Sequence, residues 1–484
     1  MAILVAVIVI TTVLWAPVDV DDLCSLTRID ALQLGWPEAQ RRIQAALSDV
    51  AEPFIIVGLH RAVEAPTSVP WLVAWREALS WSFESLASGA HANISVHVGS
   101  VESAVGAQFG YNALQSGEDF LLGRVRPQHK SKKKFGTFLR SITAQQNPSG
   151  HQLFSIGTSL HEPTISPLPQ LAPSFPLPDF LSEYDVNGAA NWRPIISVGG
   201  ANRTVAHHTH GRAWLASVQG TKRWFLHPPD AAPSHANRVY AGTPAAWADE
   251  AVAHASRCAR WRRLLLGARF ASLGWLAELL RCGPPPPLIC DVARGEALLL
   301  PPLWFHATTN PLGPSIAVGH QQSMRMASSS EKMKADLAKV SVIYPHSPHL
   351  LRLQSRMTTN GTHGVELLAD AVRRNPVDFQ ARALHLFALV QQYGESGVTT
   401  HYDAVLAALR ETRMVLRELY VDGIFSKEEV TFVLRSLAAA IEAANDPRAM
   451  QAEDASRRIR PFLVVDRERL LRSALEVEAG RALD

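Results

Sequence analysis

The stretch Thr204-Val-Ala-His-His-Thr-His-Gly211 puts His207, His208 and His210 within four positions of one another. On an extended chain the side chains at i and i+2 share a face, so His208 and His210 point together and His207 points away. Two imidazoles spaced about 6.5–7 Å along a strand can close on one cation with bonds of about 2.0–2.2 Å. A third ligand has to come from a different strand. Gly295-Glu-Ala-Leu-Leu-Leu-Pro-Pro-Leu-Trp-Phe-His-Ala-Thr-Thr-Asn310 supplies one in His306. A His-x-His pair alone carries little weight in a chain with 19 histidines, because a histidine in an apolar strand is usually a hydrogen-bonded core residue. The surrounding pattern decides, and it predicts a single pocket in which His208, His210 and His306 hold one divalent metal.

Around this stretch the apolar pattern is that of short strands. Ile195–Val198, Thr204–His208, Trp214–Gln219 and Arg223–Leu226 follow one another, and Gln219-Gly-Thr-Lys222 reads as a hairpin turn. Residues 231–290 interrupt the strands, with a helical insertion over 240–283. Within it, Trp247–Arg281 is amphipathic and stops at Gly283 and Pro284 to Pro287. Strand character returns at Ala297–Leu300 and Ser315–Val318.

Upstream, Ala31–Asp49 and Trp71–Leu86 have helical spacing, and Pro53–Leu59 reads as a buried strand. Val96–Gly99 is a further short strand, Phe135–Ile142 is helical and His151–Ile156 is extended. The basic run Arg124–Lys134 reads as a solvated loop, with a nuclear-localisation signal as the alternative. Pro163–Pro178 reads as a connecting loop without regular structure. From Ser329 onward the pattern is helical, through Val365–Arg373, Phe379–Tyr393, Tyr402–Tyr420 and Lys427–Ala443. The expected organisation is a leader at 1–16, a β-rich domain at 31–328 and a helical region at 329–484.

At 484 residues with 47% apolar content, the chain can bury a core and carry an appended module. A net charge of +3 with 19% charged residues leaves no global electrostatic footprint for nucleic acid. Residues 1–16 are uncharged and mostly apolar, then Pro17 and three aspartates follow; this reads as a signal-peptide core. A short membrane anchor over 2–17 and a buried first strand are the other readings. The run is shorter than the roughly 20 residues a spanning helix needs, so no stable transmembrane span is expected. Sequons stand at Asn93, Asn202 and Asn360. Of four cysteines, Cys282 and Cys290 flank the four prolines and are placed to close that small loop, while the absence of a Cys-x-x-Cys pair argues against structural zinc.

From Pro53 to Met324 the chain resembles the JmjC (cupin-like) family of iron and 2-oxoglutarate dioxygenases. The resemblance rests on an ordered series of blocks. These are Pro53-Phe-Ile-Ile-Val-Gly-Leu59, Val96-His-Val-Gly-Ser100, the metal strand, Gly220-Thr-Lys-Arg-Trp-Phe-Leu-His-Pro-Pro229 and Gly295-Glu through Asn310. It implies an α+β fold with a double-stranded β-helix (jelly-roll, cupin) core, flanking helices and a helical C-terminal region. It also implies Fe(II) on His208, His210 and His306, with 2-oxoglutarate as co-substrate and its far carboxylate on Lys222. The His-x-His-Gly form is most like a lumenal branch of the family, which with the leader implies the secretory pathway and the endoplasmic reticulum lumen.

This chain departs from the family at several points. His210 stands where most members have Asp or Glu, which removes one negative charge from the metal's ligands. Phe154 and Val205 stand where members often have Tyr and Thr, so neither position has a side-chain donor. The usual Asn on the strand after the last ligand is replaced near Gly319 or His320. Trp214 is expected to narrow the pocket, and Asn310 to cap the turn after the ligand strand. The function implied is a protein hydroxylase. The alternatives are a non-catalytic cupin-like protein that acts by binding partners, and a nuclear histone-lysine demethylase. The C-terminal helices offer a surface for homodimerisation.

Overall fold

A computed structural model describes residues 23–49, 52–64, 69–99, 130–144, 152–156, 168–182, 192–202, 204–231, 244–267, 286–322, 338–357 and 361–374, with isolated positions beyond 380. Described residues up to 343 form one compact unit, and those from 344 onward belong to a second.

The first unit is built on two sheets. The larger runs β1 (Thr27–Asp30), β2 (Phe54–Val57), β11 (Ala297–Leu300), β8 (Ala213–Gln219), β13 (Ser315–Gln322), β6 (Trp192–Gly199), β5 (Gln152–Ile156), β3 (Ser95–Gly99) and β4 (Lys130–Lys134). The smaller runs β10 (Leu288–Val292), β9 (Lys222–His227), β12 (Phe305–Thr309) and β7 (Thr204–His208). Only β1 and β2 pair in parallel; every other pairing among the described residues is antiparallel. From β6 to β13 the chain crosses between the sheets at every step except β9 to β10, which pair within the small sheet; this is the jelly-roll arrangement the resemblance implies.

The two faces of the large sheet differ because side chains alternate along each strand. Trp214, Ala216 and Val218 of β8, Ile316 and Val318 of β13, and Ile196 and Val198 of β6 all enter one apolar core. Helices α1 (Trp36–Asp49), α2 (Pro70–Ser80), α3 (Phe83–Ser88) and α4 (Phe135–Thr143) contribute Ile43, Trp71, Trp75, Phe83 and Phe138 to that core. The opposite face carries Ser197, Leu215 and Ser217, which are also buried. Burial on both faces explains why these strands read as near-continuous apolar runs.

Local chemistry explains where several elements depart from expectation. The helix expected over Trp71–Leu86 ends at Ser80, because Ser82 turns extended and caps a new helix in a reciprocal hydrogen-bond pair with Ser85. The Pro-rich stretch contains a helical turn at Leu168–Leu171 and a 3-10 turn at Ala172–Ser174. Part of the basic run is a strand: Lys130–Lys134 pairs with Ser95–Gly99 at the sheet's edge, where lysines discourage pairing with another chain. Gln219-Gly-Thr-Lys222 is a tight turn but no hairpin, since β8 and β9 lie in different sheets. Gly220 makes the crossing with φ 75°, against the Pro314 carbonyl.

The disulfide joins Cys24 to Cys290, so the small Cys282–Cys290 loop does not form. β10 is an edge strand, and the bond ties it to the segment before β1. The insertion helix α5 spans Pro244–Gly267, and the rest of the expected helix lies outside the described residues. Asn93 and Asn202 are exposed, and Asn360 lies outside the described residues. No described helix is long and apolar enough to cross a membrane, and residues 1–22 lie outside the described set.

In the second unit, α6 (Pro348–Met357) and α7 (Gly361–Arg374) bury Leu351, Ala371 and Ala381 together. The Ser347 hydroxyl accepts from the Leu350 N–H at the start of α6. Arg373 and Arg374 close the last turn of α7 on Asp370.

Candidate functional site

β7 and β12 are neighbours in the small sheet, and their register sets His208 opposite His306. A register shift between His306 and Thr308 interrupts the ladder beside the expected ligand. Two residues past the end of β7, His210 comes against His306, with ring centroids 4.5 Å apart at 73°. Two imidazoles on one ion, with bonds of about 2.0–2.2 Å and ligand angles of about 90–110°, place their centroids about 4.5–5.5 Å apart. The observed pair fits that geometry.

Both rings are oriented by backbone carbonyls. His306 Nδ1 lies 2.9 Å from the Trp304 carbonyl oxygen, and His210 Nδ1 lies 2.7 Å from that of Gly211. A carbonyl oxygen only accepts, so Nδ1 carries the proton in each ring and the lone pair sits on Nε2. Metal-ligating histidines are commonly held in this way, since the bond fixes both tautomer and ring orientation. His306 is buried and His210 half-buried. The His208 side chain lies outside the described residues, and among those described no group of three His, Cys, Asp or Glu side chains gathers. The backbone alone therefore places His208.

Lys222 opens β9 and is 3% exposed, so it is no solvent-facing turn lysine. Its Nζ donates to Ser197 Oγ and to Asn310 Oδ1, both at 3.2 Å. Both acceptors are neutral. Burial without a compensating charge pushes the Lys222 ammonium down to about 8. Trp224, two residues along the strand, shares the Lys222 face and stands 5.6 Å from the His306 ring. Sequence reasoning overlooked Trp224, although its i+2 spacing from Lys222 carried the signal.

The other positions singled out earlier fall elsewhere. Trp214 does not narrow the pocket: its ring packs 5.9 Å from Trp71, 4.9 Å from Trp75 and 5.7 Å from Phe180, on the helix-covered face. Alternation along β8 put it there, because β8 belongs to the large sheet and β7 to the small one. His320 is opposite Trp214 and turns to the same face, where its ring meets Phe175 at 5.8 Å and burial lowers its imidazole to about 3. At Gly319 a Cβ would collide with the Trp214 carbonyl, so β13 offers no side chain there. Phe154 is in register with Ser197, while the side chains of Phe154 and Val205 lie outside the described residues. Asn310 reaches Lys222 and does more than cap a turn.

Comparison with known proteins agrees with this architecture. A family model described as a cupin-like domain matches residues 40–320. JmjC domain-containing protein 8 of Homo sapiens is 29% identical over 118 residues, covering 24% of this chain and 33% of the human protein. The Rattus norvegicus protein of the same name is 32% identical over 118 residues, covering 24% of this chain and 32% of its own length. The chain thus spans about a third of the length of these curated relatives.

Proposed function

The chain belongs to the cupin-like domain family, and on that premise we propose that it is an Fe(II)- and 2-oxoglutarate-dependent oxygenase that hydroxylates a protein substrate. The observation that carries the reading is the His210–His306 pair, with rings 4.5 Å apart and both Nδ1 atoms on backbone carbonyls. His208, opposite His306 in the ladder, is the third ligand. Imidazole donors suit iron, and they suit zinc, copper and nickel as well. When bound, iron with 2-oxoglutarate and oxygen supplies the oxidising power for hydroxylating a C–H bond.

The chain's own residues have separate tasks. His208, His210 and His306 hold the metal. The Trp304 and Gly211 carbonyls keep Nε2 of two of these rings as the ligating atom. Lys222 takes the far carboxylate of 2-oxoglutarate through a charge-assisted hydrogen bond, in surroundings where that bond is strong. Trp224, buried with its ring 5.6 Å from that of His306, supplies an apolar wall beside it. The Cys24–Cys290 disulfide supports a secretory, lumenal setting, because such bonds persist in oxidising compartments.

The test is metal analysis by mass spectrometry on the purified full chain, followed by 2-oxoglutarate turnover with iron. Wild type is expected to hold about one metal per chain and to form succinate, and His306→Ala to do neither. The second reading, a non-catalytic metal-binding cupin, is favoured by His210 in place of a carboxylate. Metal retention without succinate would decide for it.

A further inference from the structure

Lys222 is held in an unusual way. A buried ammonium ordinarily recruits a carboxylate, because an uncompensated charge away from water is costly. Here its partners among the described residues are Ser197 Oγ and Asn310 Oδ1, both neutral and both buried. An ammonium has three N–H donors, and these acceptors engage two.

Asn310 is itself locked. Its Nδ2 donates to the Gly200 carbonyl at 3.0 Å, and its Oδ1 accepts from Ser315 Oγ at 2.6 Å. Its backbone carbonyl accepts from the Asn202 N–H at 2.8 Å. Because Nδ2 must face a carbonyl, Oδ1 faces the ammonium and the amide has one consistent orientation. The node draws on β6, β9 and β13 and on the residue after β12, so it spans both sheets. Asn310 is 2% exposed and Ser315 fully buried.

We propose that Asn310 is a positioning residue for anion capture: its fixed amide oxygen holds the Lys222 ammonium without neutralising it. The third N–H and the full positive charge are then left for the carboxylate of a small dicarboxylate ligand. This rests on the reading of Lys222 given under the proposed function. An aspartate at the same place would cancel the charge and lose the N–H that Asn310 donates to the Gly200 carbonyl, so the neutral amide serves both contacts. The lowered proton affinity of Lys222 agrees with surroundings that supply no negative charge.

The experiment compares full-length wild type with Asn310→Asp and Ser197→Asp. Affinities for 2-oxoglutarate and for succinate are measured by calorimetry, with thermal unfolding alongside. Wild type is expected to bind both dicarboxylates. Asn310→Asp, nearly the same size, is expected to show a cooperative unfolding transition and to lose about tenfold or more in affinity for both. Ser197→Asp cancels the charge from the other sheet and gives the same loss, so the test survives if one variant fails to fold. A lowered midpoint with unchanged affinity in the folded protein makes Asn310 merely structural and overturns the inference, leaving the proposed function standing. Wild type that binds neither dicarboxylate overturns the role of Lys222 itself, and the inference with it.

Discussion

At the scale of single residues, charge decides what the site can hold. In the proposed site three neutral imidazoles would take a divalent ion without the carboxylate that ordinarily completes an oxygen-activating iron site. His210→Asp restores that charge, and the variant is expected to favour Fe(II) over zinc more than wild type does. Competitive loading read by mass spectrometry checks this; an unchanged ratio shows that residue 210 is not a ligand. Lys222 gives a pH-dependent prediction. Its folded-state value of about 8 lies below the ordinary lysine value of 10.5, so the folded protein binds fewer protons than the unfolded chain between those limits. The cost of burying the charge is fully present below pH 8 and fades as pH rises toward 10.5. Lys222→Met is therefore expected to be more stable than wild type by about 1–3 kcal/mol at pH 7, with the gain shrinking above pH 8. Urea unfolding at pH 7 and at pH 9.5 reads it. His208, His210, His306 and Lys222 were all legible as candidates, because alternation and motif spacing are local. That Lys222 meets Ser197 and Asn310 was not, since those contacts span 25 and 88 residues of sequence.

At the scale of elements, strands were legible and their partners were not. Gln219-Gly-Thr-Lys222 has every local mark of a hairpin, yet β8 pairs with β11 and β13 while β9 pairs with β10 and β12. Turn chemistry specifies a tight reversal; sheet membership depends on which apolar faces meet. Gly220→Ala tests how demanding the crossing is. At φ 75° an L side chain is strained, and its Cβ would collide with the Pro314 carbonyl. A loss of about 1–3 kcal/mol is expected in chemical denaturation, and a loss below about 0.5 kcal/mol would show that the turn adjusts freely. Trp214 teaches the same lesson. Its strand is legible, but the face it shares with His208 and His210 is not, because β7 belongs to the other sheet and His210 follows its end. The edge strand β4 was hidden by composition, because five residues with four lysines look solvated until an edge position explains them.

At the scale of the whole molecule, Cys24–Cys290 ties the segment before β1 to the edge of the small sheet across 266 residues. Replacing both cysteines by serine is expected to cost about 2–5 kcal/mol, seen as a lower thermal midpoint that reductant no longer changes. A midpoint equal to that of wild type would mean the bond constrains little. By itself the amino-acid order determined that this is a cupin-like domain. The His-x-His strand, the Gly-x-Lys-Arg-Trp block and the Gly-Glu to His-Ala-x-x-Asn block are local patterns, each readable within a few residues. Only the tertiary structure decided which cysteines join, which sheet each strand enters, and that Lys222 stands buried on a neutral amide. Those outcomes depend on residues far apart in the chain competing for the same neighbours, and periodicity holds no record of that competition.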